Sequence, residues 1–301
     1  MREPAKPALN PLYPVLVLLA GSTLWGLSWM PLKYFGAYGI LGVSVTLVAH
    51  GSVGALALPW LLLRRETWLQ RSRGILLLAV LGGLANLSFA TAIVKGDVVR
   101  VMVLFYLLPA WGVIGGWWIL GERVDRQRKL SLGLALLGAF LILGGVRVFS
   151  QTPTWIDLLA VISGMALALN NVLFRKLSDV PVAPKIAASF VGCLLWAAPL
   201  SFLGVQPLPA GVPLGVWLEL AAFGLLYLSL ATVCTLWGVA HMQAGKSSVL
   251  IIMELVTAVA SAAVLSRQNL APLEWLGAGA IMLAALLEAR RPPQVELALQ
   301  T

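Results

Sequence analysis

One carboxylate, Glu254, stands in the middle of a long apolar run, and it is the acid in this chain best placed for unusual chemistry. A carboxyl group withdrawn from water holds a proton, exchanges one or pairs with a cation, so Glu254 is a candidate proton or ammonium site. The plainer alternative is a static pair with Lys246 or His241. In another run Met102 and Tyr106 are four residues apart, and Pro109 follows within a turn. A proline there removes one backbone donor and frees a carbonyl near residue 105, giving either a hinge or a static kink.

Aromatic and amide residues recur around these. Trp25 and Trp29 share one face of a helix, with Ser28 beside them, and Trp237 and His241 repeat that spacing after Tyr227 and Thr232. Asn86 is followed by Ser88 and Phe89, and Asn170 adjoins Asn171, two amides pointing about 100° apart so that one can face a cavity while the other ties helices together. His50 is a weaker titratable candidate of the same kind. Each has a packing alternative: lipid contact or core for the tryptophans, interhelical hydrogen bonds for the amides, a solvated boundary position for His241. Aromatic faces supply dispersion and attract cations by about 0.5 to 2 kcal/mol. Such a pocket suits a flat amphipathic solute with an ammonium and a carboxylate, and equally a flat organic cation.

The elements that carry these residues are membrane spans. The 301 residues are 60% hydrophobic and 11% charged, against about 25% charged in ordinary soluble domains, and the mean hydropathy is +0.92. Ten windows are long and apolar enough to cross as helices, near 14–34, 41–63, 74–94, 98–119, 130–147, 156–174, 184–204, 218–240, 246–266 and 273–289. They are apolar on both parities, which argues against a barrel. Of the Lys and Arg residues only Lys33, Lys95, Arg100, Arg147 and Arg267 fall on the side opposite the N-terminus, so both termini are expected in the cytoplasm. Basic runs such as RRETWLQRSR and ERVDRQRK then read as topology anchors, with no nucleic-acid partner. The tails are 1–13 and 290–301.

No HExxH, GxSxG or paired intramembrane aspartates occur, so an enzyme is not expected. Cys193 and Cys234 both lie in apolar runs as small buried hydrophobes, and no metal or cofactor is implied. The second half echoes the first: LATVCTLWGVAHMQAGKSSVLIIMELVTAV matches GGLANLSFATAIVKGDVVRVMVLFYLLPAW in its span, charged turn, span layout. Two units of five helices, 14–147 and 156–289, must enter the membrane from opposite sides, and inverted repeats place a substrate site at their interface. Small residues Ser131, Ala135 and Ala139 in the fifth span, and Ala280 and Ala284 in the tenth, favour close packing in a peripheral scaffold.

LWGLSW in the first span, LFYLLPAW in the fourth followed by LGERV, and LGLALLGAFLILGG in the fifth resemble the EamA-type members of the drug/metabolite transporter superfamily over nearly the whole chain. GDVVRVMVLFYLLPAW is most similar to bacterial aromatic amino acid exporters. That resemblance implies an all-α membrane protein of ten helices in two inverted five-helix repeats, with a cavity lined by helices 1, 3, 4, 6, 8 and 9. It further implies alternating access without ATP, in a bacterial inner membrane, by a monomer whose partners are its solutes and lipids. A multidrug or organic-cation exporter, or a carrier of another small metabolite, is the alternative. Two departures stand out. The Gly121–Glu122 pair after the fourth span has Ser266 and Arg267 at its counterpart, and the ninth span lacks a proline where Glu254 is followed by Leu255 and Val256.

Overall fold

A computed structural model describes residues 10, 12–40, 42–96, 98–144, 152–204, 206–265 and 271–291. In order these form α1 (Leu12–Gly36), α2 (Val43–Leu63), α3 (Leu69–Ile93), α4 (Arg100–Leu120), α5 (Arg126–Ile142), α6 (Trp155–Lys176), α7 (Val182–Phe202), α8 (Leu214–Ala240), α9 (Ala244–Leu265) and α10 (Pro272–Ala289). Among the described residues, no strand is present, and all of these helices except α5 are long and apolar enough to cross a membrane. The exception has a physical cause. The helix starts four residues before the apolar window, so its 17 residues include the charged turn Arg126, Gln127, Arg128 and Lys129. Arg147, at the end of the expected fifth span, lies outside the described residues.

Local chemistry fixes several ends. Asp125 caps α5, its side chain accepting the Arg128 amide at 2.9 Å. At the start of α6 the Asp157 carboxylate accepts the Thr154 amide at 2.6 Å and binds Arg100 of α4 through two bonds of 2.6 and 2.9 Å. Lys185 is 2% exposed and donates to the carbonyls of Phe174 and Leu177, which closes the end of α6.

Close contacts at small residues set the helix directions. A Cβ on Gly26 of α1 would stand 2.5 Å from the Glu254 carbonyl of α9, and three residues later Trp29 bonds Ser261, so α1 and α9 run parallel. Tyr106 meets Glu254, and Gly112 and Gly116 face Ser248 and Ala244, so α4 and α9 are antiparallel. Gly164 against Phe105 and Gly115 against Val172 make α4 and α6 parallel. It follows that α1 and α6 point in opposite directions. The helices α1, α8, α6, α4 and α9 pack successively into a closed ring.

Outside the ring, α5 and α10 cross at a pair of glycines. A Cβ on Gly138 would stand 2.6 Å from the Gly277 carbonyl, and one on Gly277 would stand 2.6 Å from that of Gly138. Ser131, Ala135, Ala139 and Ala284 are buried along this crossing, the close backbone approach that drives association where lipid removes the hydrophobic advantage.

Candidate functional site

Both helices that meet at the centre are broken. α4 is interrupted at Tyr106 and Leu107, between the helical stretches Val98–Phe105 and Leu108–Leu120, and α9 at Ile252, between Ala244–Ile251 and Met253–Leu265. Pro109 lies at the start of the second stretch of α4, whereas the break in α9 occurs without any proline. At the junction the Tyr106 hydroxyl donates to the Glu254 carboxylate at 2.8 Å.

Neither of the static partners expected for Glu254 reaches it. Lys246 donates instead to the Ala289 and Arg291 carbonyls at 3.1 and 3.3 Å, and the His241 ring meets the Trp237 carbonyl at 2.7 Å. Tyr106 is the only hydrogen-bond partner of the Glu254 side chain among the described residues. The surroundings are aromatic: Phe105 contacts both Phe89, with ring centres 4.6 Å apart, and Tyr106, at 5.3 Å. Met102 packs against the same core. The carbonyl beside Pro109 is not presented to a ligand, because Gly164 of α6 covers it so closely that a Cβ would stand 2.5 Å from the Phe105 oxygen.

On one side of this pair α4 and α9 stay packed through Gly112 and Gly116; on the other they part. Val98–Phe105 leans on α6 and α3, while Met253–Leu265 leans on α1 and α10. In the packed half several buried polar atoms find no partner among the described residues: the hydroxyls of Ser22 and Thr235, the Trp111 indole nitrogen, and the amide oxygens of Asn170 and Asn171. Trp111 lies five residues beyond Tyr106, about 7.5 Å along an α-helix. Matching Gly115 to Val172 puts the two asparagines at the same depth. The expectation that one of them ties helices together through its oxygen is therefore not met.

The remaining aromatic candidates do not converge here. Trp25 and Trp29 were expected on one face, but α1 turns at Ser28 between them, and they diverge. Trp29 bonds the Ser261 hydroxyl of α9 at 2.9 Å, whereas Trp25 stacks on His50 of α2, with 6.3 Å between centres. His50 is buried between Trp25 and Phe190, and neither ring nitrogen has a partner among the described residues. Tyr227 joins that second locale, donating to the Leu24 carbonyl at 2.5 Å. There the π-helical turns Thr46–His50 and Phe223–Leu228 meet backbone to backbone, Gly224 against Ala49. Asn86 is spent on the Gly82 carbonyl of its own helix at 3.0 Å. Trp237 and His241 stack at 4.1 Å near the start of α1, where Tyr13 packs edge-on to Trp237, and His241 is exposed.

Composition and spacing gave no sign of a buried ionic cluster at the end of α4. Arg128 and Glu288 are wholly buried and Glu122 nearly so. Arg128 binds Glu122 at 2.9 Å and the Gln243 amide oxygen at 2.7 Å, and its Nε lies 3.7 Å from Glu288. Arg291 reaches Asp125 at 2.5 Å. Burial alone would raise the pKa of Asp125, but the Arg128 amide and the Arg291 guanidinium outweigh it and hold the carboxyl below the usual range. The run ERVDRQRK thus does more than mark a membrane border. An open depression of about 520 Å³ beside it is lined by Trp117, Gly121, Glu122, Arg123, Val124 and Lys129.

No curated protein matches the sequence. A solved structure titled only "Crystal structure of protein" superimposes with a TM-score of 0.74 over 93% of this chain and 99% of its own, at 19% identity, a likeness of fold alone. The sequence profile of the EamA-like transporter family matches twice, over residues 12–144 and 154–289, with the broken helix α4 in the first copy and α9 in the second. The chain therefore belongs to the EamA-like transporter family and is a multi-pass membrane transporter of small solutes.

Proposed function

We propose that the protein is a secondary transporter that exports aromatic amino acids and related amphipathic solutes across a bacterial inner membrane by alternating access. The observation that carries this reading is the Tyr106–Glu254 bond, which joins the two repeats at the breaks in α4 and α9. A half-buried carboxylate held by one phenol, with Phe105 against that phenol and Phe89 behind it, offers an ammonium group a counter-charge and a ring a stacking surface. The opposed directions of α1 and α6 support inverted repeats, and in such folds broken helices at the repeat interface form the site.

The excess of cations at the Glu122 end supports a cytoplasmic placement of that end and of both termini. The side on which α4 and α9 part then faces outward. Substrate would leave between Val98–Phe105 and Met253–Leu265, and Ser22, Trp111, Asn171 and Thr235, whose buried polar atoms have no partner among the described residues, would meet it on the way from within once that side opens. Trp29, on the parted side, and Pro109, at the break, act as wall and hinge.

Export of a flat organic cation is the second reading, favoured by the absence of any basic group on Glu254 among the described residues. Purified protein in liposomes, tested against labelled amino acids and organic cations at two pH values, separates the two. Gradient-driven movement of phenylalanine or tryptophan above the rate of empty vesicles is expected. Movement of cations alone would replace the first reading with the second, and movement of neither would remove both.

A further inference from the structure

We propose that Glu122 is the latch that keeps the cytoplasmic side shut, by gripping the N-terminus of α9. This rests on the alternating-access reading above, and it makes Glu122 a positioning residue for the helix that carries Glu254.

The grip is built from several sequence features at once. Gly121, in the left-handed region at φ 70°, reverses the chain after α4, and the Glu122 amide then bonds the Gly116 carbonyl at 3.0 Å. That reversal lays the carboxylate across the start of α9. One oxygen accepts the Ala244 amide at 2.6 Å; the other accepts the Gly245 amide at 3.0 Å and the Arg128 guanidinium at 2.9 Å. Two glycines leave room for it. A Cβ on Gly116 would stand 2.9 Å from the Glu122 carboxylate, and one on Gly245 would stand 2.6 Å from Arg128. Arg128 also holds Gln243, the residue preceding α9.

Location makes this assembly a latch as well as a cap. It crosses from the first repeat to the second on the side where α4 and α9 are packed, so the helices cannot separate there until the carboxylate lets go. The first amides of any helix lack intrahelical partners and can be returned to water, which makes the grip reversible. At the corresponding place after α9 the sequence has Ser266 and Arg267, and no carboxylate. With no carboxylate at the Ser266–Arg267 counterpart, the grip at Glu122 biases the resting protein towards the state closed to the cytoplasm.

The test places a cysteine at Ser248, which is fully buried against Gly112, in a protein whose Cys193 and Cys234 have been replaced. Labelling by a maleimide from the cytoplasmic face reports separation of α4 and α9 and needs no substrate, so it stands or falls apart from the transport assay. Glu122→Gln, which weakens the grip without changing its shape, is expected to speed labelling on the order of tenfold, within the usual range of coupling between sites. Gly116→Ala, which displaces the carboxylate and leaves its charge, is expected to act in the same direction. Unchanged labelling in both variants, each eluting as a folded monodisperse protein, would overturn the proposal. So would faster labelling in Glu122→Gln that is matched by an equal gain at an outward-facing reporter, since that indicates general loosening.

Discussion

The fourth and ninth helices break at matching places by different means. In α4 the break at Tyr106 and Leu107 is followed by Pro109, whose ring accounts for a lost hydrogen bond. In α9 the chain turns at Ile252 with Met253 and Glu254 next, and no proline is near. What the two share is a glycine of the opposite repeat pressed against the broken segment: Gly164 on the Phe105 carbonyl, Gly26 on that of Glu254. The interruption therefore belongs to the packing of the repeat interface, and the proline is an accessory on one side. The interface also differs in what it presents, since α4 contributes the phenol and α9 the acid.

The largest expected effect tests that chemical asymmetry. Glu254→Gln removes the charge and keeps the shape, and hydrogen bonds to charged groups are worth about 1.5–3 kcal/mol, so transport should fall roughly ten- to a hundredfold. Tyr106→Phe should cost less, because the acid survives without its donor. If the tyrosine change proves the more damaging in the liposome assay, the roles assigned to the two helices are reversed.

Next come the glycines. Gly26→Ala and Gly164→Ala each force a methyl group against a carbonyl, and overpacking of this kind costs about 1–3 kcal/mol. Thermal unfolding in detergent should show both variants destabilised by similar amounts. A large loss in one and none in the other would break the equivalence of the two breaks.

The smallest effect is expected from the proline itself. Pro109→Ala should alter stability by under about 1 kcal/mol, because Gly164 continues to hold the segment, while transport slows only if the ring limits hinge motion. Loss of folding in this variant would show that α4, unlike α9, needs its proline to break.

These contrasts show what the sequence could and could not carry. Spans, repeats and the isolation of Glu254 were legible because they depend on hydropathy along the chain. The dispersal of the tryptophans was not. Four-residue spacing puts Trp25 and Trp29 on one face only while the helix stays regular, and the turn at Ser28 ends that. Arg128 looked like a border charge because neither Glu122 nor Glu288 announces itself as its partner, one being six residues away and the other in the last turn of α10. The Ile252 break has no proline to announce it, and the glycine pressed against the segment just after it, Gly26, lies more than two hundred residues earlier in the chain.

The crossing of α5 and α10 carries one more consequence. Because Gly138 meets Gly277 as Gly277 meets Gly138, the contact is isologous, the self-complementary kind by which identical subunits pair about a two-fold axis. An approximate two-fold axis relating the two repeats therefore passes through this glycine pair, so a methyl group added at either glycine presses on the other half in the same way.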